Sequence, residues 1–204
     1  MKNYKLVIFD LDGVLVDACD WHYEALNRSL KEVANYTISR EDHVTTYNGL
    51  PTKRKLRALV DLGIIREDDL EVISDLKQEY TKEVIEEFCN ESISKIALME
   101  VLKEKGYKIG CVTNSIRETT ELMLTKTGIL DYFDILIPNE DTTYNKPHPE
   151  PYIKGLVLLN TLPENAIIVE DSPKGLQAAR LTGCRVLEVK NATEVTKELF
   201  RGKL

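Results

Sequence analysis

Val7-Ile8-Phe9-Asp10-Leu11-Asp12-Gly13-Val14 ends an apolar, β-favouring run that begins at Leu6 with two acids and a glycine. Such a run reads as a buried parallel strand, and its abrupt polar stop as the edge of a sheet where chemistry is done. Asp10 and Asp12 are two residues apart, so on extended backbone both carboxylates project the same way, and Gly13 permits a tight turn beside them. Asp-x-Asp-Gly is also ordinary turn chemistry and can open a calcium loop. The calcium reading needs a glutamate at the twelfth place, where counting from Asp10 gives Trp21, and it fails.

The chain has 204 residues, enough for one domain or for a core with a smaller insertion. Its net charge of −7, from 27 basic and 34 acidic side chains, argues against sequence-independent nucleic-acid binding. No apolar run reaches the length of a membrane span and no signal peptide is read at the N-terminus, so the expectation is a soluble cytoplasmic protein, a monomer or weak dimer. Cys19, Cys89, Cys111 and Cys184 are far apart and form no C-x-x-C pair, so they read as structural thiols.

Helical spacing of Trp21, Ala25, Leu26, Leu30 and Val33 predicts a helix over 17–35, and further helices follow over 52–62 and 68–88, with a polar stretch at 36–48. No strand is expected between 17 and 90. Beyond Ser94 helices and strands alternate: helix 96–105, strand 108–113, helix 115–126, strand 135–138, helix 150–159, strand 166–170, helix 173–182 and strand 185–189. Alternation with short links predicts a doubly wound parallel sheet. Ser115 with Glu118 and Asn191 with Glu194 have capping-box spacing, and Ser172-Pro173 suits N-cap then first helical position. The expected architecture is an α/β core of residues 1–16 and 91–204 with an all-helical cap, 17–90, inserted after the first strand.

In open parallel sheets ligands bind beyond the carboxyl ends of the strands. One such end carries Asp10, Asp12 and Gly13; the next carries Thr113-Asn114-Ser115, hydroxyl and amide groups at a helix start suited to phosphate. The loop after Pro138 carries Lys146-Pro147, and strand 166–170 runs into Glu170-Asp171-Ser172. Taken singly, Thr113 or Ser115 could cap a helix, Lys146 could be a solvated lysine, and Glu170-Asp171 could be helix-start acids. All of them converge on one sheet edge. Clustered carboxylates cannot all stay ionised without compensation, and Mg2+ is held by a few carboxylates together with phosphate oxygens. Lys146, Thr113 and Asn114 would then offset charge on a transferring phosphoryl group, so the pattern reads as phosphoryl transfer through an aspartyl phosphate.

Four segments in order resemble the motifs of the haloacid dehalogenase superfamily, in its helical-cap subgroup with β-phosphoglucomutases and phosphoglycolate phosphatases. They are Asp10-Leu11-Asp12-Gly13-Val14-Leu15, Val112-Thr113-Asn114-Ser115, Lys146-Pro147-His148-Pro149-Glu150-Pro151-Tyr152 and Glu170-Asp171-Ser172-Pro173-Lys174-Gly175. The resemblance implies Asp10 as nucleophile and Asp12 as general acid and base. It implies Thr113, Asn114 and Lys146 on the phosphoryl group, with Gly13 and Ser115 beside them. Magnesium ligands would come from Asp10, the backbone carbonyl of Asp12, Glu170 and Asp171. Namesake dehalogenases lack the second aspartate and the metal site, which places this chain with the phosphatases. In the cap, His22 resembles a position of the β-phosphoglucomutases. Thr52 aligns with a phosphate-gripping arginine of those mutases, leaving Lys53 or Arg54 to substitute.

The expected function is a magnesium-dependent phosphatase acting on a small phosphorylated metabolite such as a sugar phosphate, phosphoglycolate or a nucleotide. The alternative is an isomerase that moves a phosphoryl group within a hexose phosphate. A phospho-acceptor signalling domain fits less well, because its aspartate follows a mid-chain strand, and a binding-only relative would have lost a motif residue.

Overall fold

The computed structural model describes residues 4–47 and 50–202. Strand β1 (Leu6–Phe9) is buried along its whole length. The chain then leaves the sheet for a helical excursion and returns to build the remaining strands.

The excursion forms one compact unit, 18–89, distinct from the unit made by 1–17 and 90–204. It contains α1 (Cys19–Ala34), α2 (Arg40–Asp42), α3 (Thr52–Asp61) and α4 (Leu70–Phe88). Helix α1 packs chiefly on α4. Leu26, Leu30, Leu56, Leu59 and Ile73 form a core belonging to this unit alone, as expected for helices with one apolar stripe each. The segment read as a plain polar stretch is more ordered than its composition suggests. Ser39 accepts the Asp42 N–H at 3.0 Å to start α2, which runs into a π-helical turn, His43–Tyr47. Burial of His43 and Tyr47 holds that turn, a tertiary effect with no periodic signal. Asn48 and Gly49 lie outside the described residues.

The second unit continues with α5 (Ile93–Glu104), β2 (Lys108–Val112), α6 (Arg117–Thr127), β3 (Ile135–Ile137), α7 (Glu150–Leu158), β4 (Ala166–Glu170), α8 (Pro173–Leu181) and β5 (Arg185–Glu188). The sheet is five-stranded, in the order β3-β2-β1-β4-β5, and every pairing is parallel. β1 therefore has a neighbour on each side. Phe9 pairs with Cys111 and with Val169, which sets Asp10 level with Val112 and Glu170. Ile8, Val112, Ile137, Tyr152 and Leu156 share a core in which α7 lies on the sheet.

Two expected caps differ. Helix α6 starts at Arg117, not Ser115, because Ile116 stays extended (ψ 157°) and both Glu140 carboxylate oxygens accept the Arg117 N–H at 3.0 Å. Asn191 accepts the Thr193 N–H, but Glu194 accepts from Lys190, and only a 3-10 turn forms. Ser172 does cap α8, accepting the Gly175 N–H at 3.1 Å. Among the described residues no helix is long and apolar enough to cross a membrane.

Candidate active site at the ends of β1, β2 and β4

The Asp10 N–H donates to the Val169 carbonyl at 3.0 Å, so the ladder between β1 and β4 continues one residue past the strand and fixes the aspartate backbone. The chain then turns sharply. Gly13 takes φ +82°, a conformation disfavoured for L side chains, and its N–H donates to the Val16 carbonyl at 2.7 Å. A Cβ at Gly13 would overlap the Asp171 carboxylate, so glycine is required on two counts.

Lys146 lies at the centre. Its side chain is buried, and Nζ donates to Asp10 Oδ1 (2.6 Å), Glu170 Oε1 (2.7 Å) and the Val112 carbonyl (2.9 Å). The ammonium also lies 4.8 Å from the centre of the Tyr152 ring. Three donors are thereby matched by three acceptors, the condition for tolerating a buried ammonium. Lys146 is joined to Pro147 through a cis peptide. Its backbone is clasped by Asn114, whose Oδ1 accepts the Lys146 N–H (3.1 Å) and whose Nδ2 donates to the Lys146 carbonyl (3.3 Å). Asn114, expected among the phosphate-binding donors, is thus occupied in holding the lysine loop. That use depends on two segments 32 residues apart in the chain.

Glu170 is fully buried, and both its oxygens are engaged. Oε1 accepts from Lys146 and from the Tyr152 hydroxyl (2.8 Å); Oε2 accepts from the Asp171 and Ser172 N–H groups (2.9 and 3.0 Å) and from the Ser172 hydroxyl (3.2 Å). Burial would raise its carboxyl, but Lys146, followed by Tyr152 and the Ser172 N–H, outweighs burial and holds it below the ordinary range. Tyr152 was legible as part of the third motif, yet nothing in the sequence tied its hydroxyl to Glu170.

Asp12 Oδ2 accepts from the Ser115 hydroxyl at 2.8 Å, and the Thr113 hydroxyl stands at 3.5 Å. Ser115 is therefore a partner of Asp12, which explains why it does not cap α6. Thr113 is buried; its N–H donates to the Ile137 carbonyl and its hydroxyl accepts the Ser115 N–H at 3.0 Å.

Burial pushes the Asp10 carboxyl up, Lys146 pulls it down, and Glu170, Asp12 and Asp171 push it up again; the balance lies well above the ordinary carboxylate range. Burial, then the Glu170 charge, raises Asp171 to about 7. One Asp171 oxygen, Oδ1, is buried with no hydrogen-bond partner. Ligand oxygens of Asp10, Glu170 and Asp171 lie within 4.8 Å of one another. Crowded, half-suppressed carboxylates and an orphaned oxygen are what a hard divalent cation would satisfy, so these residues fit such an ion. The Asp12 side chain is outside this trio.

The core unit therefore gathers Asp10, Asp12, Gly13, Thr113, Asn114, Ser115, Lys146, Glu170 and Asp171. His22 and Lys53 belong to the helical unit. There His22 Nδ1 lies 3.4 Å from Nζ of the buried Lys77, and Lys53 is exposed near the start of α3.

A model of haloacid dehalogenase-like hydrolases matches residues 7–189. The chain is 31% identical to the phosphorylated carbohydrates phosphatase of Thermotoga maritima over 88% of its own length and 82% of that protein's. It is 29% identical to the pyrophosphatase PpaX of Bacillus mycoides over 90% and 82%. Among solved structures, the β-phosphoglucomutase of Clostridium difficile superposes with a TM-score of 0.82 at 24% identity, covering 98% of this chain and 96% of that one. At that identity the likeness is one of fold.

Proposed function

The chain belongs to the haloacid dehalogenase-like hydrolase family, and from that premise we propose that it is a magnesium-dependent phosphatase working through an aspartyl phosphate on Asp10. The observation that carries the reading is Lys146 Nζ joining Asp10 and Glu170 at 2.6 and 2.7 Å, beside the unpartnered Asp171 oxygen.

The family generally uses a divalent metal. Asp10, Glu170, Asp171 and the Asp12 carbonyl would hold Mg2+ directly or through water, and the ion would offset the repulsion between carboxylates and a phosphate dianion. An Asp10 oxygen attacks phosphorus, forming the acyl phosphate as the bond to the leaving oxygen breaks. Asp12, oriented by the Ser115 hydroxyl, delivers its proton to that oxygen. Asp12 then takes a proton from water as the water oxygen attacks phosphorus, which frees phosphate and restores Asp10. Lys146 and Thr113 stabilise the charge spread over the transferring group, while Asn114 keeps Lys146 in register.

The substrate is a small phosphorylated metabolite. The relatives' names make phosphorylated carbohydrates and pyrophosphate the first compounds to assay, ahead of phosphoglycolate and nucleotides. His22 and Lys53, on the helical unit, are the proposed substrate-side residues. Hydrolysis is preferred to isomerisation because the likeness to the mutase bears on fold alone. The test is phosphate release from p-nitrophenyl phosphate with and without Mg2+. Asp10→Asn should lower the rate by at least about a thousand-fold, and a variant that keeps its rate would overturn the assignment.

A further inference from the structure

The helical unit holds a second group of reactive side chains that the catalytic reading leaves unused. Cys19 is the first residue of α1, and the preceding Ala18 offers no side-chain cap to the N–H groups of the opening turn. The Cys19 sulfur lies 3.7 Å from Nε2 of His43, 24 residues further along the chain. His43 opens the π-helical turn His43–Tyr47, an uncommon backbone form that is frequent at functional sites. Its ring is fully buried and tilted against the Tyr23 ring, with centroids 4.9 Å apart, and its Nδ1 has no hydrogen-bond partner. The imidazole is thus held in one orientation, with Nε2 turned to the sulfur.

Positive charge surrounds the pair. Arg40 lies over the Tyr23 ring, 5.2 Å from its centre, with Asp20 as its carboxylate partner, and the Cys19 charge acts on its guanidinium. Burial, then the charges of the buried Lys55 and of Arg40, keep the His43 ring neutral down to about pH 4. A neutral ring does not form an imidazolium–thiolate pair. Instead Nε2–H donates to the ionised sulfur, and the bare Nδ1 has no proton to place. Helix start, nearby cations and ring N–H together favour thiolate over thiol. The other cysteines lack this setting: Cys89 and Cys111 are buried, and burial pushes the Cys111 and Cys184 thiols up.

We propose that Cys19 is a reactive thiol with His43 as its hydrogen-bond partner, a site of oxidation by small hydroperoxides. Half-burial of Cys19 admits a reagent of two oxygen atoms more readily than a bulky disulfide. With hydrogen peroxide, the thiolate sulfur attacks one oxygen; an S–O bond forms as the O–O bond breaks, and the leaving hydroxide takes up the proton that the thiol gave to solvent. Thiol and peroxide become sulfenic acid and water, the sulfur being oxidised and the peroxide reduced. The assignment does not depend on the catalytic reading.

The reduced native protein would be exposed to hydrogen peroxide at pH 7 with dimedone present to trap sulfenic acid, and the label at each cysteine followed over time by peptide mass spectrometry. Cys19 should be labelled at least about ten-fold faster than Cys184, the other half-buried thiol. His43→Phe should slow labelling of Cys19 by at least about five-fold, with circular dichroism confirming the fold. Where that variant does not fold, Arg40→Gln, which alters an exposed side chain, gives the same test. Labelling of Cys19 no faster than that of Cys184, or a Cys19 rate unchanged in the folded variant, would overturn the inference.

Discussion

Glu170 shows how much of this site is built from side chains that hold one another in place. Its carboxylate accepts from Lys146, Tyr152, Ser172 and two backbone N–H groups, and it is through Glu170 that the lysine is held against Asp10. Removing only the Tyr152 hydroxyl tests that support. Hydrogen bonds to charged groups contribute about 1.5–3 kcal/mol, so Tyr152→Phe should lose stability of that order in urea unfolding without loss of fold; a change within error would mean that Lys146 alone satisfies that oxygen. The gathering of Asp10, Lys146 and Glu170-Asp171 was legible in the sequence because, ordinary as each is singly, all of them fall at the same edge of a parallel sheet. The partners that Asn114 and Ser115 take in the structure were hidden for the converse reason. An amide or hydroxyl at a helix start serves as cap, phosphate donor or side-chain partner, and the choice depends on Lys146 and Asp12, which lie far away in sequence.

Strands and long helices were readable because each carries its own signal. β1 is a fully apolar run, and Gly106, Gly128 and Gly183 follow the helix ends in the left-handed conformation expected of helix stops. The turn His43–Tyr47 carries none, since tertiary burial holds it. Its pH behaviour should be distinctive. His43 is fully buried, with Nδ1 unpartnered, and burial, aided by the Lys55 and Arg40 charges, lowers it from 6.5 to about 4. Below pH 6.5 the unfolded chain takes up a proton that the folded one refuses until about pH 4. Stability contributed by the neutral ring is therefore present above pH 6.5 and lost as pH falls through that window. At about 1.4 kcal/mol per pKa unit the loss reaches at most about 3.5 kcal/mol. Thermal unfolding of wild type and His43→Phe at pH 7 and pH 5 measures it. The variant should show a shallower fall in melting temperature, whereas parallel slopes would show that His43 does not carry the effect.

For the whole molecule, the alternation of helices and strands after Ser94 announced a parallel sheet, and the strand-free stretch before it announced a helical insertion. The order β3-β2-β1-β4-β5 was not written in any local pattern. It follows from how the strands share two covered faces, and it places β1 between β2 and β4, so that Asp10 meets Val112 on one side and Glu170 on the other. The catalytic claim, that Asp10 carries the phosphoryl group, is tested most directly by catching that intermediate. Turnover of p-nitrophenyl phosphate with Mg2+ would be quenched in acid, treated with borohydride and mapped by peptide mass spectrometry. Reduction of the acyl phosphate should convert Asp10, and no other residue, to homoserine, only when substrate is present. Conversion at a different carboxylate, or steady turnover with Asp10 unmodified, would contradict the account.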